Sequence, residues 1–336
     1  MATHLVGNGL DVVTVGEAMA LFAAQQPGAL EQAASFARIT AGAELNVAIG
    51  LSRLGLRAGY VSRVGSDSFG RFLLAALDRE GVDRSHVAVD PAHPTGFMLK
   101  SRSTDGSDPQ TEYFRRGSAA SHLGPADNPR DYCAASRHLH LTGICVAISP
   151  TARDLVFEMA ADARAAGRSV SFDPNLRPSL WPSQQAMLDC LNALAAHSDW
   201  VLPGLEEGRL LTGQDSPEAI ADWYLERGAQ QVAIKLGPQG AFFANARQRG
   251  LVPGVPVAQV VDTVGAGDGF AVGVISGLLE GLNLPEAVAR GNAIGARVVQ
   301  FPGDCDGLPN REQLSRERKR HCSVDVQPGS RNGVND

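Results

Sequence analysis

From about Arg137 onward, short segments of strand length alternate with longer segments whose apolar residues recur at helical spacing. Strand His138–Thr142 is predicted to precede helix Thr151–Gly167. Strand Ser169–Asp173 precedes helix Ser183–His197, and strand Trp200–Pro203 precedes the helical Glu206–Leu211. A helix over 217–228 leads to strand Gln231–Leu236, and Phe242-Phe243-Ala244 pairs back as a hairpin. A β-rich stretch over 248–261 is followed by a helix from Phe270 to Glu280, with Val272, Ile275, Leu278 and Leu279 apolar. A last helix opens at Leu284-Pro285-Glu286 and runs to about Phe301. Such alternation argues for βαβ units and a mainly parallel sheet.

The first third fits the same plan. Asp11–Glu17 is a short apolar strand ending in an acid, and 18–40 reads as strands over a surface. A helix opens at Ala41-Gly42-Ala43-Glu44-Leu45-Asn46 and runs to a C-cap at Gly55. Arg57–Gly65 is a strand, a helix follows from Asp67 to about Gly81, and Val87–Asp90 is a strand. Residues 95–102 and 111–116 form two strand-like runs around a loop of turn residues, a predicted hairpin. The fold class expected is therefore α/β: a doubly wound, mostly parallel sheet flanked by helices, over 11–310. Parts of 17–40 and 95–118 form a small β lid. Residues 1–10 read as an arm and 311–336 as a polar tail.

Composition narrows the function. The 336 residues are 44% hydrophobic and 20% charged, which is ordinary for a globular chain. A formal net charge of −6 argues against nucleic acid as the main partner. No apolar run approaches the roughly 18 residues of a membrane span, so no membrane partner is expected. The N-terminus lacks the basic-then-apolar order of a secretion signal, which predicts a cytoplasmic protein. The five cysteines, Cys133, Cys145, Cys190, Cys305 and Cys322, are scattered without a C-x-x-C and read as reduced thiols. No Walker A sequence is present, so a kinase built on this chain would hold ATP in another way.

The most chemical stretch is Asp262-Thr263-Val264-Gly265-Ala266-Gly267-Asp268-Gly269-Phe270. It lies where a loop becomes a helix N-terminus, whose unpaired N–H groups and positive dipole end attract an anion. Asp268 stands beside that anion hole. A carboxylate base next to an anion hole is what phosphoryl transfer to an alcohol requires. The other reading is a Gly-rich turn capped by an acid, without a ligand.

Three further constellations surround it. Gly42 and Ala43 make a turn before a helix bearing Glu44 and Asn46 in its first turn, which suits either a small polar ligand or plain helix capping. Glu17 ends the first strand. Asp173-Pro174-Asn175-Leu176-Arg177 follows a strand, where doubly wound sheets bind ligands. An Asp, an Asn and an Arg there suit a polar, negatively charged ligand or a salt-bridged loop. Lys100, Arg102, Arg115 and Arg116 make the hairpin basic inside an acidic protein, either as a solvated face or as a cover for an anionic substrate.

The 262–270 stretch resembles the signature of the ribokinase-like (PfkB) carbohydrate kinases, and the resemblance covers about residues 11–310. Asp173 to Trp181 is similar to the Asp-x-Asn-x-Arg-x-x-Leu-Trp run of that family's 2-keto-3-deoxygluconate kinase branch. Ala41–Asn46, Thr95–Lys100 and Tyr113–Arg116 point to the same branch. The resemblance implies ATP-dependent phosphorylation of 2-dehydro-3-deoxy-D-gluconate to its 6-phosphate. It implies Asp268 as general base, with the Gly265, Ala266 and Gly267 backbone as anion hole. The substrate residues it implies are Glu17, Gly42, Ala43, Asn46, Lys100, Tyr113, Arg115, Asp173, Asn175 and Arg177. Lys235, Gly237, Gly240 and Asn292 fall where relatives hold the nucleotide. Glu207 falls on the acid that works near Mg²⁺, with Gly204 in place of the usual Asn. Asp262 and the 303–307 loop fall where many relatives bind a monovalent cation such as K⁺. Lids of this kind often form dimer contacts, which implies a homo-oligomer. Ala41 in place of Gly, and Met98 where relatives can place Tyr, leave a neutral-sugar kinase of the fructokinase or ribokinase type as an alternative. A sugar-binding sensor without catalysis is the alternative from another class.

Overall fold

A computed structural model describes residues 9–102 and 109–316. The chain opens with β1 (Val12–Val15), then β2 (Met19–Ala24) and β3 (Phe36–Ala41), which pair antiparallel. Helix α1 (Ala43–Arg53) leads to β4 (Ala58–Gly65), α2 (Ser68–Arg79) and β5 (Asp83–Asp90). The basic hairpin follows as β6 (Phe97–Lys100) and β7 (Thr111–Phe114). Most of its loop, like the arm and the far end of the tail, lies outside the described residues. Helix α3 (Arg130–Ala134) precedes β8 (His138–Thr142), then come α4 (Cys145–Ile148) and α5 (Pro150–Ala165). The alternation continues through β9 (Ser169–Asp173), α6 (Gln184–Ala196), β10 (Trp200–Val201), α7 (Leu205–Thr212), α8 (Pro217–Leu225) and β11 (Gln231–Lys235). Strands β12 (Gly240–Asn245) and β13 (Arg249–Pro253) precede α9 (Ala266–Leu279) and α10 (Leu284–Val298).

The main sheet runs β13-β12-β11-β10-β9-β8-β1-β4-β5, and only β12 runs against the rest. From β1 the chain winds one way through β4 and β5, then returns on the other side through β8 to β11. The switch point lies between β1 and β8, where such sheets open a crevice outside the strand ends. Side chains alternate across each strand, so the two faces feed separate cores. Val13, Val15, Leu139, Leu141 and Phe172 pack in one. Val12, Leu45, Ile49, Phe270 and Ile275 pack in the other. The second sheet, β3-β2-β6-β7, is the lid, with Met19, Leu21, Ala41 and Met98 buried beneath it.

One expected stretch is shorter than its composition suggests. The β-rich 248–261 keeps a strand only over Arg249–Pro253. Gly254 and Pro256 end the ladder, and the backbone N–H groups of Val261 and Asp262 turn to the Val299 carbonyl after α10. Val260 and Val261 are therefore exposed rather than paired in a sheet. The short helices α3 and α4 carry too few turns to show a period in the sequence.

Helix α9 is buried from Asp268 to Gly277, so it has no polar face to give to water. Its glycines let α10 approach. A Cβ at Gly273 would stand 2.5 Å from the Gly291 Cα and backbone N. Ala favours a helix by about 1 kcal/mol over Gly. Backbone cannot yield as a flexible side chain can, so overpacking, typically 1–3 kcal/mol, outweighs that gain. Gly273→Ala should lower the urea midpoint, and an unchanged or higher midpoint would show that the helices have room to spare.

Candidate active site

A cavity of about 480 Å³ opens at the switch point, between the strand ends, the start of α9 and the lid. The loop before α9 turns through Gly265, whose φ of +84° lies in the left-handed region that disfavours a side chain. The same glycine is close-packed, because a Cβ there would stand 2.5 Å from the Asp304 carbonyl oxygen. Gly265 and Gly267 both line the cavity. Ala266 departs from expectation. Its N–H turns back to the Thr263 carbonyl at 3.3 Å, and it does not line the cavity. The free donors of the first turn are thus those on either side of it.

Asp268 sits one turn into this helix start, buried and facing the cavity. Asn46, from the first turn of α1, donates its Nδ2 to Asp268 Oδ2 at 2.7 Å. The Cys305 thiol donates to Asn46 Oδ1 at 2.8 Å, which leaves the amide's donor side to the carboxylate. Burial raises the Asp268 carboxyl from 3.8 to about 8. The Asn46 hydrogen bond opposes that rise, the charges of Asp173 and Asp304 add to it, and Lys235 pulls against it. A carboxyl tuned near neutral pH is suited to take a proton and to release it.

Lys235 ends β11 and spans the two oxygens of Asp173, which ends β9, at 2.8 and 2.7 Å. Burial would lower the lysine's pKa, but Asp173 and Glu207 outweigh it, so Lys235 is held above its ordinary range as an ammonium. Burial raises Asp173 to about 6 against the pull of Lys235. A Cβ on Gly267 would stand 3.5 Å from Lys235 Nζ, so the cation lies against the start of α9. Asp173 lines the cavity, but both its oxygens are engaged by Lys235.

The expected substrate residues divide. Gly42, Ala43, Tyr113, Asn175 and Arg177 line the cavity. Asn175 adopts φ +41°, a region Asn tolerates. Arg177 donates Nη1 to the Leu176 carbonyl at 2.8 Å, and no carboxylate pairs with it among the described residues. Arg115 and Glu17 also line the cavity, yet they meet each other, with Nη2 to Oε2 at 2.5 Å in a buried pair. Ser118 donates to the other Glu17 oxygen at 2.5 Å. The acid thus holds the lid arginine.

Lys100 corrects two expectations together. It does not line the cavity. Its Nζ is buried between Asp262 Oδ2 at 2.5 Å and Asp304 Oδ1 at 3.0 Å. The place expected for a monovalent cation holds an ammonium of the chain's own. Asn292 is likewise engaged elsewhere. Its Nδ2 donates to the Val252 and Pro253 carbonyls at 3.1 Å, tying α10 to the end of β13. Gly237 and Gly240 form the turn between β11 and β12, outside the cavity lining.

Glu207 lines the cavity from the first turn of α7. Its oxygens accept the N–H groups of Gly204 at 2.7 Å and Leu176 at 2.8 Å. A carboxylate has about four lone-pair sites, so both oxygens keep capacity for water around a hard cation. Among the described residues no cluster of three or more His, Cys, Asp or Glu could hold a metal ion.

Glu44, which the sequence sets beside Asn46 in the first turn of α1, is buried, lines the cavity and accepts the Thr142 hydroxyl from the end of β8, and burial raises its carboxyl. Asp304 was visible only as part of a loop, and Ile144 lies past a strand end that carried no polar motif.

Residues 10–311 match the pfkB family of carbohydrate kinases. The chain is 54% identical over 307 residues to a protein named 2-dehydro-3-deoxygluconokinase from Bacillus subtilis (strain 168), covering 91% of this chain and 94% of the relative. A crystal structure of a PfkB protein from Polaromonas sp. JS666 matches with a TM-score of 0.85 at 54% identity, over 91% of this chain and 99% of that one. A putative ribokinase II from E. coli, solved with ATP and Mg²⁺, matches with a TM-score of 0.86 at 27% identity, over 93% and 100%. The chain, with a buried carboxyl at a helix start below a small β sheet, belongs to the pfkB family of carbohydrate kinases.

Proposed function

We propose that this kinase transfers the γ-phosphoryl group of ATP to the 6-hydroxyl of 2-dehydro-3-deoxy-D-gluconate. The observation that carries the reading is one cavity with a buried, near-neutral carboxyl at a helix start and an arginine without a carboxylate partner. The name of the B. subtilis relative supports the same substrate.

Asp268 takes the hydroxyl proton as the sugar oxygen bonds to the γ-phosphorus. The bond from that phosphorus to the bridging oxygen breaks, and ADP leaves with the electron pair. The N–H groups around Gly265 and Gly267 hold the charge on the phosphoryl oxygens, and Lys235 supplies a cation beside them. Asp173 positions Lys235. Glu207 lies where it would hold Mg²⁺ through water, and that ion would offset charge on the ATP phosphates. Arg177 binds the sugar acid's carboxylate with a planar fork, and Arg115, set by Glu17, closes that side with the lid. Gly237 and Gly240 shape the nucleotide turn, and Asn292 anchors its far wall. Lys100 supplies the charge at Asp262 and Asp304, so no monovalent ion is part of the reading.

The same reading extends to the assembly. Tyr113 and Phe114 on the edge strand β7 are exposed at 44% and 47%, and a second copy of the chain would cover them. Cys133, Cys145, Cys190 and Cys305 are free thiols, in keeping with the cytoplasm.

Asp268→Asn should lower kcat by roughly 10²–10⁴ and leave the sugar KM within a few-fold. Near-wild-type turnover would remove Asp268 from the mechanism. The folded carboxyl titrates above the unfolded one, so its contribution to stability is complete below 3.8 and is lost as pH rises through about 8. The Asn variant loses nothing over that window. It should therefore melt higher than wild type near the upper end, with the gap closing toward the lower.

The base must be ionised to act, so kcat/KM should rise with pH around a midpoint near 8. Asn46→Ala removes the hydrogen bond that favours the charged form, and the midpoint should move upward. A midpoint in the ordinary carboxylate range, or one unmoved in the variant, would contradict this account of Asp268.

Arg177→Ala should cut kcat/KM for the sugar acid about ten- to a hundredfold, for a charge-assisted bond of about 1.5–3 kcal/mol, and affect residual fructose turnover far less. Equal losses on both would mark Arg177 as structural. Arg115→Ala would also strand the buried Glu17 charge, so it should lower thermal stability as well.

A further inference from the structure

Helix α1 grips the loop after α10 at both of its ends, through Cys305. From the last turn of α1, Arg53 donates Nη1 to the Cys305 carbonyl at 2.6 Å and to the Leu308 carbonyl at 3.1 Å. Its Nε and Nη2 donate to the two oxygens of Glu80 at 2.8 and 2.9 Å, which fixes the guanidinium. In the first turn of the same helix, Asn46 Oδ1 accepts the Cys305 thiol at 2.8 Å, and Asn46 Nδ2 donates to Asp268 Oδ2 at 2.7 Å. Thiol, amide and carboxyl thus form one buried line, and Cys305 itself does not line the cavity. Burial pushes the thiol well above its ordinary range, so it stays an S–H donor.

An ionised carboxylate only accepts hydrogen bonds, so the NH₂ end of an amide must face it. A protonated carboxyl can donate instead, and then the carbonyl end of a turned amide serves as well. The direction of the Asn46 amide therefore decides which form of Asp268 is favoured. A thiol donates to oxygen but is only a weak acceptor for NH₂. We propose that Cys305 is a positioning residue for the base: its thiol holds the Asn46 amide with the NH₂ group toward Asp268, which keeps that carboxyl ready to accept the sugar hydroxyl's proton. Cys305→Ala leaves Oδ1 of the buried Asn46 without this donor, and the amide is then free to turn. The other charged groups facing Asp268 are Asp173 and Lys235, from the ends of β9 and β11, and Asp304 from the loop after α10. The substitution leaves all three in place.

The proposal rests on the reading of Asp268 as the base, so one arm of its test needs no turnover. In the infrared spectrum of wild type, one S–H stretching band should lie at lower wavenumber than those of the other thiols. It should vanish in Cys305→Ser and return to the free-thiol position in Asn46→Ala. Absence of a displaced band, or a band that ignores Asn46, overturns the proposal. A displaced band in a wild type that phosphorylates no sugar would sink the kinase reading while upholding the hold on Asn46. The second arm is the pH profile of kcat/KM on the sugar acid. Cys305→Ala should move its midpoint upward by about half a unit to one unit, for a hydrogen bond of ordinary strength. Below the midpoint that is a loss of about three- to tenfold, closing as the profile levels off at high pH. Cys305→Ser, whose hydroxyl also donates, should restore the wild-type midpoint. In an Asn46→Ala background, Cys305→Ala should move the midpoint no further. A loss equal at every pH, a Ser variant that behaves like Ala, or a full shift in the Asn46→Ala background would also overturn it.

Discussion

Burying a carboxylate without a cation of its own is the constraint on which this site depends. Four acids crowd the start of α9. Asp173 has Lys235, and Asp304 shares Lys100 with Asp262, while Asp268 has only the Asn46 amide. Desolvation of Asp268 therefore outweighs the Asn46 hydrogen bond and the pull of Lys235, and the charges of Asp173 and Asp304 add to it. The two cations that neutralise those neighbours also keep the cluster foldable, since several uncompensated buried charges would cost far more than a domain's stability allows. The acid proposed as the base is the one left out of these ion pairs among the described residues.

The fold brings these groups together from far apart in the chain. Lys235 and Asp173 sit at the carboxyl ends of strands separated by β10 alone. Asp268 lies on the helix that fills one face of the sheet, and its depth is set by the glycine contacts between α9 and α10. Lys100 and Arg115 arrive from the lid. The proposed selection of a sugar acid rests on the same arithmetic of charge. Arg115 is already matched by Glu17, whereas no acid pairs with Arg177 among the described residues, and a ligand carboxylate is what would complete it.

Much of this was legible in the chain. Strand-length segments marked β8 and β9, in which Leu139, Leu141, Val170 and Phe172 alternate with buried His and Ser, and helical periodicity marked the helices between the strands. The Gly-rich turn before Phe270 announced a helix start beside an acid. The pairings were not legible. Glu17 and Arg115, or Lys100 and Asp304, are joined by tertiary structure across long stretches of chain, and nothing local in either segment reveals the partner. The reading of Lys100 as a substrate cation, and of Asp262 as a ligand for a metal, failed for that one reason: each was read without the other. The acceptors of Asn292, expected on the nucleotide side, likewise lie far away in the chain, on β13.

The central claim is that the cavity selects a sugar carrying a carboxylate. The most direct test is ADP release by the purified wild-type enzyme across 2-dehydro-3-deoxygluconate, 5-dehydro-2-deoxygluconate, fructose and ribose. The account predicts the highest kcat/KM on 2-dehydro-3-deoxygluconate, with both neutral sugars well behind. A preference for fructose or ribose would contradict it.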